Sequence, residues 1–102
     1  MSQFNAIGNK KVLIVTTGHP VAIVAPDFSQ QANRVDIQAL YTNEDPIIVG
    51  GSTIAADQSN GGMLLEAGDV YSVEIITNLA GIYVNGVAGE GVSITWWIGE
   101  VN

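Results

Sequence analysis

The sequence contains no cysteine, which excludes disulfide bridges, thiolate metal sites and cysteine nucleophiles. It is nearly as poor in positive charge: Lys10, Lys11 and Arg34 are its only basic side chains, against ten acidic ones, for a formal net charge of -7. Nucleic-acid binding depends on neutralising phosphates with lysine and arginine, so DNA and RNA are excluded as expected partners, and an anionic membrane for the same reason. No apolar run approaches the roughly 18 residues that a membrane helix needs. The opening MSQFNAIGNKK lacks the apolar centre of a signal peptide, and the expected place of synthesis and folding is a cytoplasm. Charged residues of either sign make up only 13% of the chain, about half the usual share. Part of the surface must then be uncharged, which suits contact with another protein.

What is abundant is β-type sequence. A chain of 102 residues has room for one domain. Twelve glycines and three prolines divide it into short runs rich in Val, Ile, Thr, Tyr and Trp, the signature of an all-β sandwich or barrel. The runs predict eight strands, at 11–17, 20–25, 34–41, 46–50, 62–66, 69–77, 81–85 and 91–98. The expected fold is an antiparallel β-sandwich or jelly-roll-like barrel of about eight short strands over residues 11–102. Residues 1–10, with Phe4 and Ile7 among polar neighbours, read as an extended N-terminal arm. Turns are expected at TGHP (17–20), TNEDP (42–46), VGGS (49–52), SNGG (59–62), EAGD (66–69) and VNG (84–86). No helix is expected beyond a single turn in PDFSQQANRV.

Alternation on a strand sends successive side chains to opposite faces. Val35, Ile37, Ala39 and Tyr41 fall on one face of their run, with Asp36 and Gln38 on the other. Tyr71, Val73 and Ile75 alternate with Ser72 and Glu74. In GVSITWWI, Val92, Ile94, Trp96 and Ile98 form the apolar face, opposite Ser93, Thr95 and Trp97. Two adjacent tryptophans cannot share one core, so Trp96 is expected inside and Trp97 outside.

No constellation for catalysis is visible. A triad needs a nucleophile and an orienting acid around an imidazole, and His19, the single histidine, sits in a Gly-His-Pro turn. The loop DQSNGG places oxygen side chains at Asp57, Ser59 and Asn60 ahead of a glycine, in the manner of a calcium loop. The glutamate expected at position 12 of such a loop is replaced by Gly68, so an Asn-Gly turn is the better reading. Glu44 and Asp45 are adjacent acids in a turn, without an opposed carboxylate. The expectation is no enzyme, no metal and no cofactor. An outward tryptophan can stack a sugar ring, as on carbohydrate-binding modules, or anchor a protein contact. Tyr41 and Tyr71 point inward on this pattern and leave Trp97 without an aromatic platform, which favours the protein contact.

The run from Val35 to Trp97 also resembles a family of small β-domain virion proteins of tailed bacteriophages, generally head decoration or minor structural proteins. The resemblance is carried in order by V-D-I-Q-A at 35–39, T-N at 42–43, I-I-V-G-G-S at 47–52, N-G at 60–61, L-x-A-G-D at 65–69, V-E-I at 73–75, L-A-G-I-Y-V-N-G at 79–86 and G-E-G-V-S at 89–93. TTGHPVAI likewise matches the family's opening strand and its turn into P-V. Related sequences end in tyrosine-rich strands where this one has Trp96 and Trp97. The resemblance implies a non-enzymatic phage structural protein on the capsid surface of the virion. It would decorate or cement and so stabilise the capsid through protein contacts, with the major capsid protein as partner. Shell symmetry favours a homo-oligomer, a trimer before a dimer. Phe4, Ile7 and Trp97 are the candidate contact residues; a carbohydrate-binding β-module or a tail or baseplate component is the alternative.

Overall fold

The computed structural model describes residues 3–24, 33–74 and 79–100, and side chains within 8–24, 33–74 and 79–97. Eight strands follow in chain order: β1 (Gln3–Leu13), β2 (Val21–Ala22), β3 (Arg34–Ala39), β4 (Ile47–Gly50), β5 (Met63–Leu65), β6 (Val70–Glu74), β7 (Tyr83–Asn85) and β8 (Gly91–Glu100). They form two four-stranded antiparallel sheets, β1-β8-β3-β6 and β2-β7-β4-β5. Each sheet takes strands from both halves of the chain, a jelly-roll-like connectivity.

The core lies where alternation puts it. Val35, Ile37, Ala39, Val92 and Ile94 of the first sheet are buried against Ile47, Val49, Leu65 and Val84 of the second. Tyr71, Val73 and Trp96 pack on the same cluster while remaining partly exposed. Apart from Leu65 and the small Ala39, these residues are β-branched or aromatic, as a pleated surface favours.

The first strand departs from expectation. Residues 3–10 are extended, but as part of β1 rather than as an arm outside the domain. They pair with β8 from Gln3↔Glu100 to Lys10↔Ile94, with a bulge between Phe4 and Ala6. Their missing hydrophobic period has a physical reason: β1 is an edge strand, paired on one side only, and among its described side chains only Val12 is buried. Gly8 lies opposite Trp96, and a β-carbon there would stand 2.3 Å from the indole ring. The glycine is the space into which the tryptophan fits.

Tyr41 is a second correction. It is 85% exposed rather than inward, because β3 ends at Ala39 and the chain turns after Leu40, whose amide donates to the Gly91 carbonyl. A third is the turn expected at VNG. Asn85 is the last residue of β7 and fully buried, and the reversal comes later, where Glu90 N donates to Val87 O and Gly89 takes a φ of 92°. A 3₁₀ turn at Leu79–Gly81, closed by Ile82 N on Leu79 O, was not legible in the sequence; the buried Leu79 anchors it. Most of PDFSQQANRV and residues 75–77 of the run expected at 69–77 lie outside the described residues.

The outer face of the second sheet is covered by loops. Ile48 faces away from the core, and Ile54 of the 51–62 loop buries it. Beside it, Asn85 donates through Nδ2 to the carbonyls of Gly18 and Ile54, and its Oδ1 accepts from Gly86 N at 2.7 Å. One buried amide thus ties two loops to β7. Asn85→Ala strands those carbonyls without donors, each a desolvated acceptor, and is expected to cost about 2–4 kcal/mol. Urea denaturation should show a lower midpoint at unchanged slope. In a Trp97→Phe background, Gly8→Ala is expected to cost about 1–3 kcal/mol through overpacking and to red-shift Trp96 emission as the indole is displaced.

Candidate functional site

The outer face of the first sheet has no covering layer among the described residues. Its side chains follow from the register as rows across four strands. Asn9, Thr95, Asp36 and Ser72 form one row, and Lys11, Ser93, Gln38 and Val70 the next. Above them stand Trp97, Arg34 and Glu74, with Ile7 at the opposite register position on β1. Below, Leu13 lies opposite Gly91, and Leu40 continues the β3 register by one residue. The face is therefore aromatic at one end, polar in the middle and apolar at the other.

Trp97 faces outward and is half-buried. Its partner in that burial is Arg34, whose guanidinium carbon lies 5.3 Å from the ring centroid, a cation–π contact between cross-strand neighbours. Arg34 is held in turn by Asp36, two residues along the same strand face, with Nε to Oδ1 at 3.0 Å and Nη2 to Oδ2 at 3.4 Å. Ser72 Oγ donates to Asp36 Oδ1 at 2.7 Å from the neighbouring strand. Partial burial pushes the Asp36 carboxyl up, but hydrogen bonds from Ser72 and Arg34 and the guanidinium charge outweigh it and hold the pKa below the ordinary value. Arg34 is shifted upward, first by its hydrogen bond to Asp36 and then by that carboxylate's charge. The chain Ser72–Asp36–Arg34–Trp97 fixes the indole before any partner arrives.

Alternation located Trp97 correctly; the arginine above it needed the strand pairing, which the sequence does not supply. Phe4 and Ile7 lie on β1 opposite Gly99 and Trp97, and their side chains fall outside the described ones. Sequence reasoning missed the apolar side chains of the face, Leu13 at its end, 44% exposed, and Val70 in the row before it, 53% exposed. The signal for Val70 was present, since it precedes the inward Tyr71 and so had to point out.

The other candidates read as structure. His19 is exposed in a turn closed by its own amide on Thr16 O. Asp57 accepts from Ser59 N at 2.9 Å, and Asn60 Nδ2 donates to Thr53 O, so the DQSNGG loop uses its oxygens internally. Glu44 and Asp45 donate their amides to the Glu90 carboxylate. Among the described residues no three His, Cys, Asp or Glu side chains gather as metal ligands. A cleft of about 430 Å³ between the sheets, lined by Val49, Met63, Tyr71, Val73 and Ile82 among others, is almost wholly apolar and presents no acid–base pair.

No family model, curated protein or solved structure matches this chain.

The Asp36 network makes a pH-dependent contribution of known sign. A carboxylate whose folded pKa is depressed adds stability above its unfolded pKa of about 3.9 and loses it as pH falls through the lower folded value. Asp36→Asn is expected to melt below the wild type at pH 7 by up to about 1 kcal/mol, the range of a partly exposed pair. In paired thermal melts the difference should narrow below about pH 4.

Proposed function

We propose that this chain is a non-enzymatic structural protein that decorates or cements a tailed-phage capsid, using the outer face of β1-β8-β3-β6 for protein contact. The observation that carries this reading is the preorganised Trp97 on a sheet face that no other described element covers. Tryptophan and arginine are the residues most enriched where binding energy concentrates, and here the two are stacked together. The exposed Leu13, Val15, Tyr41 and Val70 add apolar contact surface around the same sheet. A protein that adds area to a shell needs a rigid scaffold and a broad face rather than a reactive pocket. The jelly-roll-like connectivity is compatible with this but hosts unrelated functions. The likeness of the run from Val35 to Trp97 to phage virion proteins supplies the capsid as the place of action.

A sugar-binding role is less well supported by the same geometry. Arg34 covers one face of the indole, and Tyr41 and Tyr71 do not stand in the rows that flank Trp97.

The test is to locate the chain in purified particles of a phage whose genome encodes it. Mass spectrometry should find it in the particle, and immunogold labelling should mark the head surface. Trp97→Ala should fold normally and drop out of the particle. Label confined to the tail would replace the capsid reading with a tail or baseplate component, and particles free of the chain would refute both.

A further inference from the structure

The open face differs from the rest of the molecule in charge. Among the described side chains of its rows the charged ones are Lys11 and Arg34 against Asp36 and Glu74, two of each sign, so these rows are balanced in charge on a chain of net charge -7. Lys10, the remaining basic residue, lies on the adjoining edge strand. Among the described side chains, the acidic residues Glu44, Asp45, Asp57, Glu66, Asp69 and Glu90 lie outside these rows. Two copies of a strongly acidic protein repel at long range, and this face is where they can approach with least cost.

The pattern of the face is also self-complementary. Trp97 with Arg34 occupies one end and Leu13 with Leu40 the other, with Val70 in the row between, and the ends are separated along β8 by the six residue steps from Gly91 to Trp97, roughly 20 Å. We infer that the face packs on the same face of a second copy. The two-fold axis lies in the plane of the face and runs across the strands between the Thr95 and Ser93 rows. That operation reverses the rows and keeps the strand order. It seats Trp97 on the Leu13–Leu40 end of the partner subunit and, by symmetry, the partner's tryptophan on this copy's. In the middle it sets Lys11 over the partner's Asn9 and Asp36 over the partner's Gln38, so no charge meets a like charge. An isologous contact of this kind closes at two copies, and stacked sheet faces about 10 Å apart interdigitate in the usual way. The inference deepens the assembly reading by naming a partner for its surface, and it departs from the trimer expected from shell symmetry.

Sedimentation equilibrium of the isolated chain tests it between about 10 µM and 1 mM, where a small interface titrates. The mass should rise from 10.7 kDa towards twice that value. Trp97→Ala and Val70→Asp alter the aromatic end and the middle of the face at side chains that are at least partly exposed. Each should raise the dimer dissociation constant at least about tenfold with circular dichroism unchanged. Raising salt should strengthen the wild-type dimer, because it screens the net repulsion while the rows of the face are balanced in charge. A monomer up to 1 mM, a trimer, or folded variants that associate like the wild type would each overturn the inference. None of these results bears on whether the chain is found in the particle, so the two readings fail separately.

Discussion

The register between β8 and its two neighbours is the constraint from which the rest of the molecule follows. β8 is central in its sheet, paired to β1 over its whole length and to β3 from Val92 to Trp97. A slip of one residue would turn every side chain to the other face, burying Ser93, Thr95 and Trp97 and exposing Val92, Ile94 and Trp96. Two features fix the alignment. Val92 and Ile94 fill the core completely, and the Trp96 indole fits only where the facing residue has no β-carbon, as at Gly8. The outward position of Trp97, and with it the stack under Arg34, is a consequence of that inner packing.

The two sheets solve the problem of their outer faces differently. On one, loops carrying Ile54 and Gly18 fold back over β4 and β7, and the Asn85 amide satisfies the backbone carbonyls that burial would otherwise strand. A buried polar group placed this way is affordable because each of its hydrogen-bonding atoms is used. On the other sheet the face carries mixed polar and apolar side chains in rows, cross-linked by Arg34, Asp36 and Ser72. Such a surface is stable in water, because its charged and polar groups satisfy one another.

Strand composition and turn chemistry were legible in the sequence because they are local. Seven of the eight strands, β2 to β8, lie within or next to their expected runs, and Gly18, Gly61 and Gly68 take positive φ in turns that were expected. The positions that failed depend on tertiary context. An edge strand paired on one side only need not alternate, so residues 3–10 looked like a free arm. Tyr41 kept the rhythm of β3 by one residue too many, and Asn85 looked like a turn residue because its burial is compensated by loops far away in sequence. The site was half visible: alternation placed Trp97, but Arg34, Asp36 and Ser72 meet only through strand pairing between distant segments.

The pairing of β1 with β8 sets a schedule for folding. β8 lies between β1 and β3, so while residues 91–100 are still in the ribosome those two strands have no common neighbour and the core lacks Val92, Ile94 and Trp96. Loop closure between such distant segments is slow and must precede the contacts that reward it. The strands of the second sheet and the β3–β6 pair all precede β8 in the chain, and the first sheet is completed only when β8 inserts between β1 and β3. During that interval the excess of negative charge opposes the association of separate copies.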